Sequence, residues 1–164
     1  MRQLRTLILF FLLSSCRTEK EMHIIPRGYV GWVVIAFKQK DGVNIALKNG
    51  FRVYEIPENG VLKVKEDSND GVFEESDILF LQCKGDNSYD TLKFFTGWIT
   101  ENRFKKQRIE LEPSKVIVQA PGVLGGEAVN NSGGYFYFVG QIKDSMFAEK
   151  SYEAFLIKAN NIIK

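Results

Sequence analysis

The sequence predicts a mainly β domain: an antiparallel β-sandwich of the immunoglobulin-like or prealbumin-like kind, with one C-terminal α-helix. Short runs rich in β-branched and aromatic residues recur along the chain, separated by Gly, Pro, Asn and Asp, as is typical of sandwich folds. No strand–helix–strand alternation is visible, and an apolar period of 3.6 residues occurs only near the C-terminus. With 45% hydrophobic and 13% aromatic residues, the composition is that of a globular domain.

Two of the predicted strands form the clearest local unit. Residues 51–56 alternate in polarity with period 2, and residues 61–65 follow after a turn. In that turn Pro57 fixes φ, and Asn59-Gly60 accepts a positive φ. The pattern therefore predicts a β-hairpin over residues 51–65. The other predicted strands are residues 29–37, 78–83, 92–99, 109–112, 115–119 and 135–139.

The C-terminal segment predicts an amphipathic helix from about Ser145 to Ile163. Its apolar residues recur at helical spacing, which places them on one face. We expect this face to pack on the sheet. The residues that form it are Tyr152, Phe155, Leu156, Ala159, Ile162 and Ile163.

The first sixteen residues, MRQLRTLILFFLLSSC, have the layout of a secretory signal peptide. Arg2 and Arg5 precede a short apolar run, and small residues lead into Cys16. This junction resembles the lipobox of bacterial lipoproteins, in which the chain is cut before the cysteine and the sulfur is diacylated. The resemblance implies a cleaved signal peptide (1–15), a lipidated tether (16–23) and a single sandwich domain with its helix (24–164). An ordinary cleaved secretory signal is the alternative.

The same resemblance predicts location. The apolar run is too short to span a bilayer, which needs about 20 apolar residues, whereas acyl chains on Cys16 would anchor the protein. Position two of the mature chain is Arg17 and not the aspartate that retains lipoproteins at the inner membrane. We therefore expect a lipid-anchored protein of the bacterial cell envelope, at the outer membrane, on either its periplasmic or its surface face.

Charge argues against nucleic acid as a partner. The precursor has 22 Lys and Arg against 20 Asp and Glu, a net charge of +2. Removing residues 1–15 takes away Arg2 and Arg5, so the mature chain has no net side-chain charge. The expected partners are therefore the membrane, through Cys16, and an envelope protein.

Three further segments resemble a family of bacterial lipoproteins that contain a domain of unknown function. They are IIPRGYVGWVVIAF (24–37), VYEIPENGVLKV (53–64) and YFYFVG (135–140). The family opens with an IP-x-GY-x-GWV motif and continues with an IPENG-[IV]-LKT-like hairpin, where this chain has Val64 in place of threonine. The resemblance implies a lipoprotein domain and no particular activity.

No catalytic, metal or cofactor site is predicted. The only histidine, His23, falls on the predicted tether. The acidic run 66–77 fits a calcium loop poorly, because its first ligand is Glu66 and its twelfth is Asp77. Cys83, the only cysteine besides Cys16, lies in an apolar run and is expected to be buried. The basic cluster 102–108 is expected to be solvated surface.

We therefore expect a non-catalytic binding domain. Tyr135, Tyr137 and Trp98 are its candidate partner-binding residues, provided that their aromatic side chains are exposed. An inhibitor or immunity lipoprotein that neutralises a toxin in the periplasm is the alternative. A carboxylate-dependent hydrolase, in which acids distant in sequence meet in one pocket, is a third possibility.

Overall fold

The computed structural model describes residues 19–69, 77–86, 88–96, 115–120 and 134–163. They form nine strands, a 3₁₀ turn over Ile142–Asp144 and one helix. The strands are β1 (Lys20–Ile25), β2 (Gly31–Ala36), β3 (Ala46–Lys48), β4 (Phe51–Glu55), β5 (Val61–Lys63), β6 (Ile78–Cys83), β7 (Tyr89–Thr96), β8 (Ile117–Ala120) and β9 (Gly134–Gly140). The helix, α1, is Ser145–Ile163.

All nine strands join in one mixed sheet, in the order β3-β4-β1-β6-β7-β8-β9-β2-β5. Four neighbouring pairs are parallel and four are antiparallel. The mainly β class with a C-terminal helix is confirmed, whereas the antiparallel sandwich is wrong. Polarity alternation reports which face a side chain occupies and carries no information on the direction of the neighbouring strand.

The predicted hairpin over residues 51–65 is also wrong, although its turn forms. β4 pairs with β3 and β1, while β5 pairs in parallel with β2. The turn has a Gly60 N–H that donates to the Pro57 carbonyl at 2.9 Å, and Gly60 adopts φ +76°. This turn therefore carries the chain from one end of the sheet to the other instead of reversing it onto its neighbour.

The sheet is strongly curled, as contacts between distant strands show. β1 and β9 are four strand positions apart, which is roughly 19 Å in a flat sheet. Yet the rings of His23 on β1 and Tyr137 on β9 have centroids only 5.4 Å apart. Tyr54 on β4, five positions from β9, approaches Tyr135 to 6.2 Å. The sheet is therefore a half-barrel with an interior filled by side chains.

The two faces of the sheet are covered differently. Side chains on the inner face meet one another and form the main core, which includes Ile25, Val33, Ile35, Phe37, Phe80, Val118 and Val139. On the outer face, Val34, Ala36, Val61 and Phe136 lie under α1. Every residue of β9 is buried, because both of its faces are covered.

Helix α1 spans Ser145–Ile163, which confirms the predicted helix and its sheet-facing stripe. Ala159 and Ile163 are buried against the outer face, with Phe155 and Leu156 packed beside them. At the start of the helix the Trp32 indole N–H lies 3.2 Å from both the Ala148 carbonyl and the Ser151 hydroxyl.

The predicted tether boundary at residue 23 is wrong. Residues 20–23 belong to β1, which pairs in parallel with both β4 and β6 near the middle of the sheet. In the sequence, three residues, 17–19, therefore lie between Cys16 and β1. The polar stretch RTEKEMH resembles a linker by composition, but its last four residues, 20–23, are stabilised as a strand by pairing on both sides.

Tyr29 joins the two most distinctive sequence motifs. Its hydroxyl donates a short hydrogen bond to the Trp32 carbonyl, and it lies where a side chain at Gly60 would project. A Cβ at Gly60 would overlap both the Tyr29 hydroxyl and the Trp32 carbonyl oxygen. Gly60 is thus required by its positive φ and by close packing, with no chemical role.

We expect Gly60→Ala to lower the free energy of unfolding by about 2–5 kcal/mol, because strained backbone and overpacking each cost roughly 1–3 kcal/mol. Gly50→Ala is the matched control. Gly50 has φ +80°, but a Cβ there meets no atom within 4 Å, so only the backbone cost of about 1 kcal/mol applies. Urea denaturation of both variants measures the difference, and equal losses would contradict the packing role.

Candidate functional site

The inside of the half-barrel holds a buried polar group that the sequence did not predict. We call it the Glu21 cluster: Glu21, His23, Tyr54, Asn69, Tyr135 and Tyr137. Alternation along β1 turns Glu21, His23 and Ile25 inward together. Glu21 and His23 have no exposed surface. A buried charged or polar side chain must find hydrogen-bond partners, and the cluster supplies them.

The Glu21 carboxylate is the centre of the cluster. Its Oε1 accepts hydrogen bonds from the Tyr54 hydroxyl at 3.1 Å, the Tyr135 hydroxyl at 3.0 Å and the Asn69 amide at 3.1 Å. The Asn69 amide group also bonds to both backbone groups of Glu19. Donors from β4, β9 and the segment after β5 thus converge on one side chain of β1.

His23 lies beside this carboxylate. Its Nε2 is 3.4 Å from Glu21 Oε2, and its Nδ1 is 3.0 Å from the Tyr137 hydroxyl. Its ring also packs against Phe80, with ring centroids 4.7 Å apart. The prediction that places His23 on a tether is therefore wrong. Glu21, His23 and Ile25 are spaced two residues apart, as side chains on one face of a strand are. This spacing is the sequence signal that could have located His23 on the inner face of a strand.

Burial sets the acidity of the tyrosines in the cluster. Loss of water contact, followed by the nearby Glu21 charge, raises the pKa of Tyr54 and of Tyr135 well above the usual 10.0. Burial does the same for the pKa of Tyr137. Outside the cluster, burial raises the pKa of Tyr29 to about 12. These hydroxyls therefore stay protonated as donors at neutral pH.

Chemically, a carboxylate, an imidazole and phenols in contact are able to exchange protons. Nothing outside the protein reaches them, however, because Glu21, His23, Tyr54 and Tyr137 are fully buried. The cluster ties β1, β4 and β9 together across the interior of the half-barrel. Its arrangement suits a structural cross-link better than a site that meets a substrate.

A groove on the surface offers the accessible alternative. It has a volume of about 530 Å³, within the range of small-ligand and peptide sites, and lies between β4 and β5. We call it the β4–β5 groove. Its lining is mostly apolar: Val43, Ile45, Ala46, Val53, Pro57, Val61, Leu62, Val64 and Ile162, with Asp41, Asn44, Glu55 and Lys63 as its polar members.

The predicted partner-binding residues do not form a surface. Tyr135 and Tyr137 are 4% and 0% exposed, so the prediction that they contact a partner is wrong. Both side chains turn into the half-barrel, and α1 covers the opposite face of their strand. Trp98 and the lipidation candidate Cys16 lie outside the described residues.

The remaining candidates give little chemistry. Cys83 is half-buried at the end of β6, not fully buried as predicted, and it is a free thiol. Within the described ranges, no three His, Cys, Asp or Glu side chains lie close enough to hold a metal ion. Residues 70–76 of the acidic run and the basic cluster 102–108 fall outside those ranges.

Part of the chain matches the model of a known protein family. Residues 17–78 match DUF6843, a family of unknown function. This span contains the first two motifs and the chain from β1 to the start of β6, but not the third motif. A search of curated proteins finds no significant match.

The structure is similar to a crystal structure of a Bacillus anthracis protein that is provisionally described as a lipoprotein. The TM-score is 0.51 and the sequence identity is 10%, over 88% of this chain and 96% of that one. At this identity the likeness shows a shared fold. In the part of the chain that is described, no helix is long and apolar enough to cross a membrane.

We expect Glu21→Leu to destabilise the protein far more than Glu21→Gln. Leucine leaves the donors of Tyr54, Tyr135 and Asn69 buried without an acceptor, a loss of about 3–5 kcal/mol. Glutamine keeps an oxygen for them and should cost about 1–2 kcal/mol. Chemical denaturation at pH 7 measures both, with the exposed Glu153→Leu as the surface control. Equal losses for the two Glu21 variants would argue against the network.

Alkaline pH should weaken the fold. In the unfolded chain tyrosines ionise near pH 10, whereas the folded cluster holds their protons to higher pH. Their stabilising contribution is therefore fully present below pH 10 and falls above it, by about 1.4 kcal/mol per pH unit for each buried tyrosine. Unfolding free energies between pH 8 and 11.5 give the slope. Tyr135→Phe should reduce it by one tyrosine's share, and an unchanged slope would contradict this assignment.

Proposed function

We propose that this protein is a lipid-anchored lipoprotein of the bacterial cell envelope whose folded domain is a non-catalytic binding module. The anchor is Cys16, which follows a signal-peptide-like segment directly. The lipoprotein description of the Bacillus anthracis protein with the same fold supports this assignment. In a cell with two membranes, Arg17 at the second mature position favours the outer one.

The observation that carries the binding role is the burial of the only histidine. Acid–base and nucleophilic catalysis most often use an imidazole that reaches the substrate. Here His23 is fully buried and its two ring nitrogens face Glu21 and Tyr137. In the described part of the chain, an accessible concave surface is the mostly apolar β4–β5 groove.

The acids of this groove also argue against a carboxylate-dependent hydrolase. Such enzymes need one carboxyl with a raised pKa to act as the general acid. Asp41 lies 2.6 Å from the Lys63 ammonium, and this hydrogen bond lowers its pKa. Glu55 is exposed and lies 3.5 Å from the Lys48 ammonium. Neither carboxylate has the apolar surroundings that a general acid needs.

The proposed anchor is tested by replacing Cys16. We expect Cys16→Ser to abolish fatty-acid incorporation and globomycin-sensitive processing, because serine cannot form the thioether to diacylglycerol. Cys83→Ser is the matched control, since it removes the other cysteine and should leave both readouts unchanged. Metabolic labelling with radioactive palmitate, followed by membrane fractionation, measures the outcome. Labelled, membrane-bound Cys16→Ser protein would refute the anchor.

A further inference from the structure

We propose that the β4–β5 groove binds an extended peptide segment of a partner protein, which adds as a short strand between β4 and β5. This inference rests on the proposed binding role and names the class of partner. It depends on three observations: the backbone groups that β4 and β5, the two walls of the groove, turn toward it, the path of residues 43–46, and the apolar lining.

The β5 wall presents two backbone groups to the groove. The Val34 N–H donates to the Gly60 carbonyl at 2.8 Å, and the Val64 N–H donates to the Ala36 carbonyl at 2.9 Å. Even-numbered residues of this segment therefore face β2. Because backbone groups alternate along a strand, the carbonyl of Val61 and the N–H of Lys63 point away from β2.

The neighbours of these two groups have partners. The Val61 N–H donates to the Asn59 side-chain oxygen at 3.0 Å. The Lys63 carbonyl accepts from the Val43 N–H at 2.9 Å. The Val61 carbonyl and the Lys63 N–H remain as the acceptor and donor of the β5 wall in the described part of the chain.

The β4 wall also presents two backbone groups to the groove. The Ile56 N–H donates to the Ile24 carbonyl of β1 at 2.9 Å, so even-numbered residues of β4 face β1. Odd-numbered residues face β3, whose ladder ends at the pair Ala46–Val53. Glu55 lies beyond that pair, so its N–H and carbonyl face the groove. Each wall thus offers one donor and one acceptor.

The path of residues 43–46 explains the gap between β4 and β5 at the groove. Val43 bridges to Val64 beside β5, and the chain then crosses to pair with β4 from Ala46 onward. It closes one end of the half-barrel and leaves the stretch between Glu55 and Val61 unfilled. The turn at Pro57 bounds the other end. A short extended segment would continue the ladder where this chain leaves it.

The side chains suit a peptide with one apolar face. Val43, Val53, Val61 and Ile162 provide an apolar surface, and Val43 is 56% exposed. Ion pairs at the rim, Asp41–Lys63 and Lys48–Glu55, present both signs of charge. A strand that alternates apolar and polar residues would place the first on this surface and the second toward water.

The test uses the full-length protein in detergent micelles and a library of random dodecapeptides displayed on phage. We expect enriched peptides to alternate in polarity, and to slow amide hydrogen exchange at Glu55 and Lys63 at least tenfold. Val43→Arg fills the groove from an exposed position and should weaken binding of the same synthetic peptides at least tenfold. Leu47→Arg is the matched control, because Leu47 is 66% exposed on β3 and does not line the groove.

The outcomes separate this inference from the proposed anchor. Failure to enrich any peptide, or binding that survives Val43→Arg and leaves those two amides unprotected, would overturn the peptide site. Protection by detergent alone would also overturn it, because a small apolar ligand would then explain the groove. None of these results bears on palmitate labelling at Cys16, so the labelling experiment tests the proposed anchor independently.

Discussion

A carboxylate with no exposed surface is the constraint on which this fold depends. Taking Glu21 out of water costs several kcal/mol unless donors replace the lost hydration. Those donors come from Tyr54 and Asn69 on one side and from Tyr135 on the other. Tyr135 meets Glu21 only when the sheet curls, because β9 is four strand positions away from β1. The curling of the sheet therefore completes the hydrogen bonds of the buried Glu21 carboxylate.

The outer face depends on a second set of contacts. β2 and β9 bury aromatic and aliphatic residues on both faces, and α1 covers the side that the curl leaves exposed. Trp32 is the link at the start of the helix, where its indole N–H reaches the helix backbone and its ring packs against Tyr152. The helix covers the outer face of β9, where Phe136 and Phe138 lie, whereas the curl of the sheet encloses Tyr135 and Tyr137 on the inner face.

Because of these contacts, neither β9 nor His23 lies on the surface of the protein. β9, the most aromatic strand, is buried on both faces. The only imidazole, that of His23, is buried beside the Glu21 carboxylate. Among the described residues, an accessible concavity lies where β4 and β5, distant in the sheet order, come near each other across the gap left by residues 43–46. A domain with such an edge would interact through backbone geometry more than through particular side chains. This agrees with motifs whose glycines and prolines are explained by turns and packing.

The amino-acid sequence by itself determined the local elements. Alternation of period 2 located β4, apolar and aromatic runs located β6 and β9, the 3.6-residue stripe located α1, and Asn59-Gly60 required the observed turn. Strand direction and partners were decided only by tertiary structure, because alternation reports faces and not neighbours. For the same reason Glu21 and His23 read as a polar linker: only pairing with β4 and β6 on either side, and donors from β9, made those residues interior. The groove likewise arises from the meeting of two sheet ends that no local pattern records.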